Sequence, residues 1–113
     1  MSDGVKELWG NISVYANYVH ELNGDWETSE LIYLLHIRDL IEEGLVKTPL
    51  PIAMAARLRL LRLDSRLAAN RRYLVDVVRG QGEALHKPAS YWWWYLDAVP
   101  EALGKVEYYT CFV

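Results

Sequence analysis

The chain has almost no cysteine and no long apolar segment, and both absences narrow its class. Cys111 is the one cysteine among 113 residues, so no disulfide can form within the chain, and nothing indicates an oxidising compartment. The first residues show neither a basic leader nor an apolar run, and no apolar stretch reaches the ~18–20 residues of a membrane span. We therefore expect a cytoplasmic protein.

Sequence motifs that carry enzymatic chemistry are also missing. There is no glycine-rich phosphate loop, no G-x-S-x-G elbow and no cysteine–histidine pairing at ligand spacing. Glu83 and His86 match one copy of the Glu-x-x-His unit of di-iron bundles, but the second copy is absent. We expect no cofactor and no metal site, and we favour a non-catalytic role over an enzymatic one.

Apolar residues recur instead at helical spacing through most of the chain. Steps of three and four predict a first helix over about residues 4–22, a second that ends near Gly44, and a third over about 50–79. At 1.5 Å per residue the third helix would span roughly 45 Å. It must then kink or extend past the bundle, and an apolar overhang would need a partner, most simply a second copy of the chain.

The C-terminal part of the sequence predicts a fourth helix and a tail. Pro88 can begin a helix over about 88–98, and the β-forming residues of 106–113 predict a short extended segment. The length and the ordinary globular composition indicate a single domain, residues 1–113. The predicted fold is therefore an all-α, four-helix up-down bundle with one long helix and a short extended C-terminal tail.

Five consecutive aromatic residues, Tyr91 to Tyr95, lie in the predicted fourth helix. On a helical wheel Trp92 faces the core with the two tyrosines beside it, whereas Trp93 and Trp94 point away from the core. Full burial of such a side chain is worth roughly 2–3 kcal/mol, so two exposed indoles would need a cover. The candidates for that cover are the chain's own tail, a second subunit and a dissociable partner.

Charge is distributed unevenly along a chain of net charge −3. Residues 1–46 carry nine acids and two bases, whereas residues 47–87 carry nine bases and three acids. Arg59, Arg62 and Arg66, the arginine ridge, fall within about 60° of one another on a helical wheel. Such a ridge suits the phosphates of nucleic acid or of a membrane surface, and it equally suits a solvated face beside acidic helices.

The predicted function is a non-catalytic protein–protein interaction module, such as a subunit, an adaptor or an immunity-type regulator. Asn70 interrupts the apolar seam of the third helix, and in coiled coils one such asparagine fixes register and partner number. We expect self-association through the third helix and an aromatic patch. The predicted partner-binding residues are Tyr91, Trp93, Trp94, Asn70, Leu74 and Val77.

Two alternative functions stay open. The first is a helical protein that binds nucleic acid through the arginine ridge. The second follows from Arg79 and His86, whose spacing resembles the HEPN ribonuclease motif and would imply RNA cleavage by these two residues. Motifs of that family usually continue in helix after the arginine, whereas Gly80 and Gly82 interrupt the helical pattern here.

Overall fold

A computed structural model describes residues 3–98, and over that range the chain is all-helical and contains no strand. The helices are α1 (Asp3–Glu21), α2 (Thr28–Val46), α3 (Leu50–Ala69), α4 (Val75–Val78) and α5 (Gln81–Ala84). Three-residue 3₁₀ turns lie at Arg71–Tyr73, Trp92–Trp94 and Leu96–Ala98. The prediction of a small all-α helical bundle is confirmed. Within the described range, no helix has both the length and the apolar character needed to cross a bilayer.

The three long helices pack around one apolar core, because each carries buried residues at the predicted three-four spacing. α1 packs against both α2 and α3. Gly44 lies inside α2, and a Cβ there would stand 3.4 Å from Cδ1 of Leu8 in α1, so the missing side chain lets these two helices approach closely. The buried α3 residues include Ala53, Ala56, Leu60, Leu63 and Leu67.

Local sequence accounts for the two sharp turns between the long helices. Asn23 ends α1: its Nδ2 donates to the carbonyl oxygen of Glu21 at 3.1 Å, and its Oδ1 accepts from the backbone N–H of Asp25 at 2.8 Å. Pro49 precedes α3 and Pro51 lies in its first turn, where backbone N–H groups have no helical acceptor.

The long third helix is the main departure from the predicted architecture. α3 ends at Ala69, ten residues before the predicted end, because Asn70 leaves helical geometry and its Nδ2 donates to the carbonyl oxygen of Arg66 at 2.9 Å. The chain then makes a 3₁₀ turn, and Leu74 and Val78 return to the same core. Over residues 3–98, α3 is therefore too short to overhang the bundle in the way that the unbroken pattern predicted.

The predicted fourth α-helix over residues 88–98 is also replaced by shorter elements. Residues 92–94 and 96–98 form separate 3₁₀ turns, with the intervening Tyr95 outside helical geometry. This segment folds back over α2 and α4. The extended tail predicted for 106–113 lies outside the described residues, as does Cys111.

Candidate functional site

The predicted outward orientation of Trp93 and Trp94 is wrong. Trp93 and Trp94 are only 1% and 0% exposed, and both lie in the apolar core. A 3₁₀ turn advances about 120° per residue, so the wheel drawn for an α-helix misplaced these side chains. The cover that the indoles need is supplied by the described part of the chain itself, chiefly α2.

The buried indoles are held by one carboxylate on α2. Oδ1 of Asp39 accepts hydrogen bonds from Nε1 of Trp93 at 2.7 Å and from Nε1 of Trp94 at 2.8 Å. Its Oδ2 accepts from Nζ of Lys87 at 2.7 Å. Three donors thus satisfy a carboxylate that is almost fully buried, as buried charge requires.

A second buried network lies next to the Asp39 network and joins all three long helices. Arg38 of α2 binds Asp64 of α3 through two parallel contacts, from Nε and from the NH2 nitrogen, each at 2.9 Å. The hydroxyl of Tyr15 in α1 donates to the same carboxylate at 2.6 Å. The Arg38 guanidinium also lies 4.4 Å from the centroid of the Trp93 ring, which links the two networks.

The charges of this polar core perturb two of its own groups. Burial, together with the nearby Asp64 carboxylate, raises the pKa of Tyr15 well above its usual value. Burial alone would lower the pKa of Arg38, but Asp64, Tyr15 and Glu42 together outweigh burial and raise it. Both groups therefore keep their ordinary protonation states at neutral pH. We assign this network, Tyr15, Arg38, Asp39 and Asp64, to the architecture of the bundle.

The other predicted partner-binding residues are buried or half-buried. Leu74 is fully buried, and Val77 is partly buried against the core. Asn70 ends α3 instead of lying in an apolar seam. Tyr91 stacks on Trp93, with ring centroids 4.8 Å apart, and burial raises its pKa from the ordinary value. Of these four residues, Leu74 has no exposed surface, and Asn70, Val77 and Tyr91 are each half-buried.

Arg79 and His86 do not share a helix. Arg79 follows α4 and forms an exposed ion pair with Asp76 at 3.4 Å, and His86 follows α5 with a positive φ of 55°. Gly80, at a φ of 76°, breaks the helical path between them. The helical frame expected for a HEPN-like arrangement is therefore absent at these positions. Within residues 3–98, no three histidine, cysteine or acidic side chains converge to hold a metal ion.

The sequence interpretation missed an apolar surface on α3. Leu50, Met54 and Leu58 are 71%, 59% and 70% exposed, and their i, i+4, i+8 spacing places them in one row, the outer stripe. The sequence could have predicted this surface, because α3 carries apolar residues around more of its circumference than one buried face requires.

The arginine ridge lies beside this stripe on the same helix. Arg59, Arg62 and Arg66 are all exposed, and none of the three has a carboxylate partner among residues 3–98. Arg57, on the other flank of the stripe, pairs with Glu42 of α2 at 3.4 Å. The acidic helices therefore neutralise one flank of the stripe and leave the ridge unpaired.

The ridge borders a groove between α1 and α3. Its lining joins His20, in the last turn of α1, with the three arginines of the ridge. The groove has a volume of about 600 Å³, and Leu61 and Ser65 are also part of its lining. The hydroxyl of Ser65 donates to the carbonyl oxygen of Leu61 at 2.6 Å and is therefore already used within the helix.

The outer stripe and the groove place exposed apolar and cationic side chains on α3, and both are candidate binding surfaces. No protein-family model, no curated protein and no solved structure matches the chain.

Proposed function

We propose that the protein is a non-catalytic interaction module that self-associates through the outer stripe of α3. The observation that carries the proposal is the exposure of Leu50, Met54 and Leu58 in one row. Burying a leucine or methionine side chain completely is worth about 1.5–3 kcal/mol. Three such side chains left in water along one helix face give a second helix a reason to pack there.

The spacing of the stripe favours a second copy of the chain as its occupant. Leu50 and Leu58 lie four residues on either side of Met54, so two antiparallel copies of α3 can pair each leucine with the other leucine of the second copy. The arrangement is two-fold symmetric, as most homodimer contacts are. Side chains at i and i±4 form a row along a helix, and such rows pack into the grooves of a second helix at crossing angles of about −50° or about +20°.

Charge favours the antiparallel orientation over the parallel one. In a parallel pair, each ridge arginine would lie beside the same arginine of the second copy, at the same height along the helix axis. In an antiparallel pair centred on Met54, the two Arg59 residues differ by ten residues, or about 15 Å along the axis. That separation exceeds the ~8 Å screening length at physiological salt, so their repulsion is small.

The small size of the stripe predicts a weak association. Stable interfaces commonly involve about 20–30 residues on each side, far more than a three-residue row and its neighbours. We therefore expect monomers at low concentration and dimers at high concentration. We also place the module in the cytoplasm, on the basis of its single cysteine and short apolar runs.

Sedimentation velocity across a range of protein concentrations tests the proposal. The unaltered chain should shift toward dimer as concentration rises, whereas Leu58→Ser should stay monomeric. The matched control is Leu40→Ser on α2, because Leu40 is also exposed but lines a cleft against α1. An unaltered chain that stays monomeric throughout, or equal losses in both variants, would refute the proposal.

The antiparallel geometry has its own test by cross-linking. In a Cys111→Ser background, Met54→Cys places the new thiols of two copies near the two-fold axis, so a short bis-maleimide should join them. Arg66→Cys is the control, because its two copies would be separated by about 36 Å along the axis. Efficient dimers from Arg66→Cys and none from Met54→Cys would rule out this orientation.

A further inference from the structure

We infer that the groove between α1 and α3 binds the phosphate backbone of a single-stranded nucleic acid. The groove joins His20 to the three arginines of the ridge, and this row of cations along an open groove suits a chain of phosphates. The site is separate from the outer stripe, so it extends the function beyond self-association.

The first argument is that no carboxylate of the described residues neutralises the arginines of the ridge. Arg57 and Arg79 have carboxylate partners, at 3.4 Å in each case. The three ridge arginines have none among the described residues, and the one acid of α3, Asp64, is buried against Arg38. The exposed face of α3 therefore keeps a local positive charge on a chain whose net charge is −3. An oxyanion ligand can supply the missing counter-charges.

The second argument is the spacing of the ridge. Arg59 and Arg66 are seven residues apart, which is about 10.5 Å along a helix. A stacked nucleic-acid strand advances about 3.4 Å per nucleotide, so this length corresponds to about three phosphates. Three guanidiniums on one side of the helix can thus reach three phosphates in succession.

The third argument is the shape of the site. The groove is shallow and largely open, with a volume of about 600 Å³, and its lining combines His20 with the three ridge arginines. An open groove of this kind lets a strand lie along the helix with its phosphates against the arginines. Because the Ser65 hydroxyl is already bonded within α3, few side chains remain to read bases, and we expect little sequence preference.

Fluorescence anisotropy with a short fluorescein-labelled oligothymidylate tests the inference, with NaCl varied from about 50 to 200 mM. Three phosphate contacts should give a slope of log affinity against log salt near −2, at about −0.7 per contact with a single strand. Arg62→Gln/Arg66→Gln should weaken binding at least about tenfold at low salt and reduce the slope to about −0.7.

The matched control is Arg57→Gln/Arg79→Gln, which removes the same charge from exposed arginines outside the groove. This control and Leu58→Ser should both bind as the unaltered chain does, and circular dichroism should show every variant folded. An equal loss in the control pair would overturn the inference, because it would reduce the effect to net charge. Absence of binding at low salt would overturn it as well. So would binding to phosphatidylserine vesicles without binding to the oligonucleotide.

Discussion

Replacing Asp39 with alanine should cost about 3–5 kcal/mol of unfolding free energy. Asp39 accepts from two buried indole N–H groups, at 2.7 and 2.8 Å, and from Lys87 at 2.7 Å. An unsatisfied buried donor costs about 1–3 kcal/mol, so the two indoles alone account for roughly 2–6 kcal/mol. The ion pair with the partly exposed Lys87 adds at most about 1 kcal/mol. Breaking a buried charged pair elsewhere costs a similar total.

Urea denaturation followed by both tryptophan fluorescence and circular dichroism measures this loss. Glu43→Ala is the control, because Glu43 is an exposed acid on the same helix and should change stability by less than about 0.5 kcal/mol. A double-mutant cycle with Trp94→Phe isolates one hydrogen bond and should give a coupling of about 1–3 kcal/mol. A loss below about 1 kcal/mol for Asp39→Ala would show that the carboxylate does not hold the indoles as described.

The remaining substitutions test close packing and pH dependence. Gly82→Ala should destabilise the chain by about 1–3 kcal/mol, because the new Cβ would lie 2.6 Å from ring atoms of Tyr95. Gly10→Ala should instead stabilise α1 by about 0.5–1 kcal/mol in the same denaturation assay, because no atom lies within 4 Å of the new Cβ. The pKa of Tyr15 is raised by burial and by Asp64, so the unfolded chain loses this proton first, and stability should fall as pH rises above about 10. Tyr15→Phe should fall less steeply over that range in urea titrations at matched pH values, and an identical slope would contradict the assignment.

The first two helices could be predicted closely because their signals are local. The first was expected over about 4–22 and is found at Asp3–Glu21, where Asn23 supplies the turn that ends it. Periodic apolar residues and turn-forming residues act within a few positions, so one sequence is enough to place them.

The end of α3 could not be predicted from spacing alone. Leu67 and Leu74 are seven residues apart, which continues a helical repeat, yet the chain leaves the helix at Asn70 and re-enters the core afterwards. A seven-residue interval fits an unbroken helix and also a break followed by a return. Only the three-dimensional packing of Leu74 decides between them.

The placement of Trp93 and Trp94 depended on a partner far away in sequence. Asp39 lies more than fifty residues before them, and no local pattern connects a carboxylate on α2 with indoles near residue 94. The wheel also assumed an α-helix where the chain forms a 3₁₀ turn. The outer stripe, in contrast, was readable in the sequence as a second apolar row on α3.

Arg38 and Asp39 are neighbours in sequence, yet they point about 100° apart around α2, one toward Asp64 and the other toward the indoles. Apolar residues are spread widely around this helix, so hydrophobic burial alone would accept several rotations about its axis. A rotation by one residue would turn either Asp39 toward Asp64 or Arg38 toward the indole N–H groups. In each case an apolar neighbour, Leu40 or Ile37, would face the other partner. The two opposite charges therefore specify one angular setting of α2, which the apolar residues alone leave open.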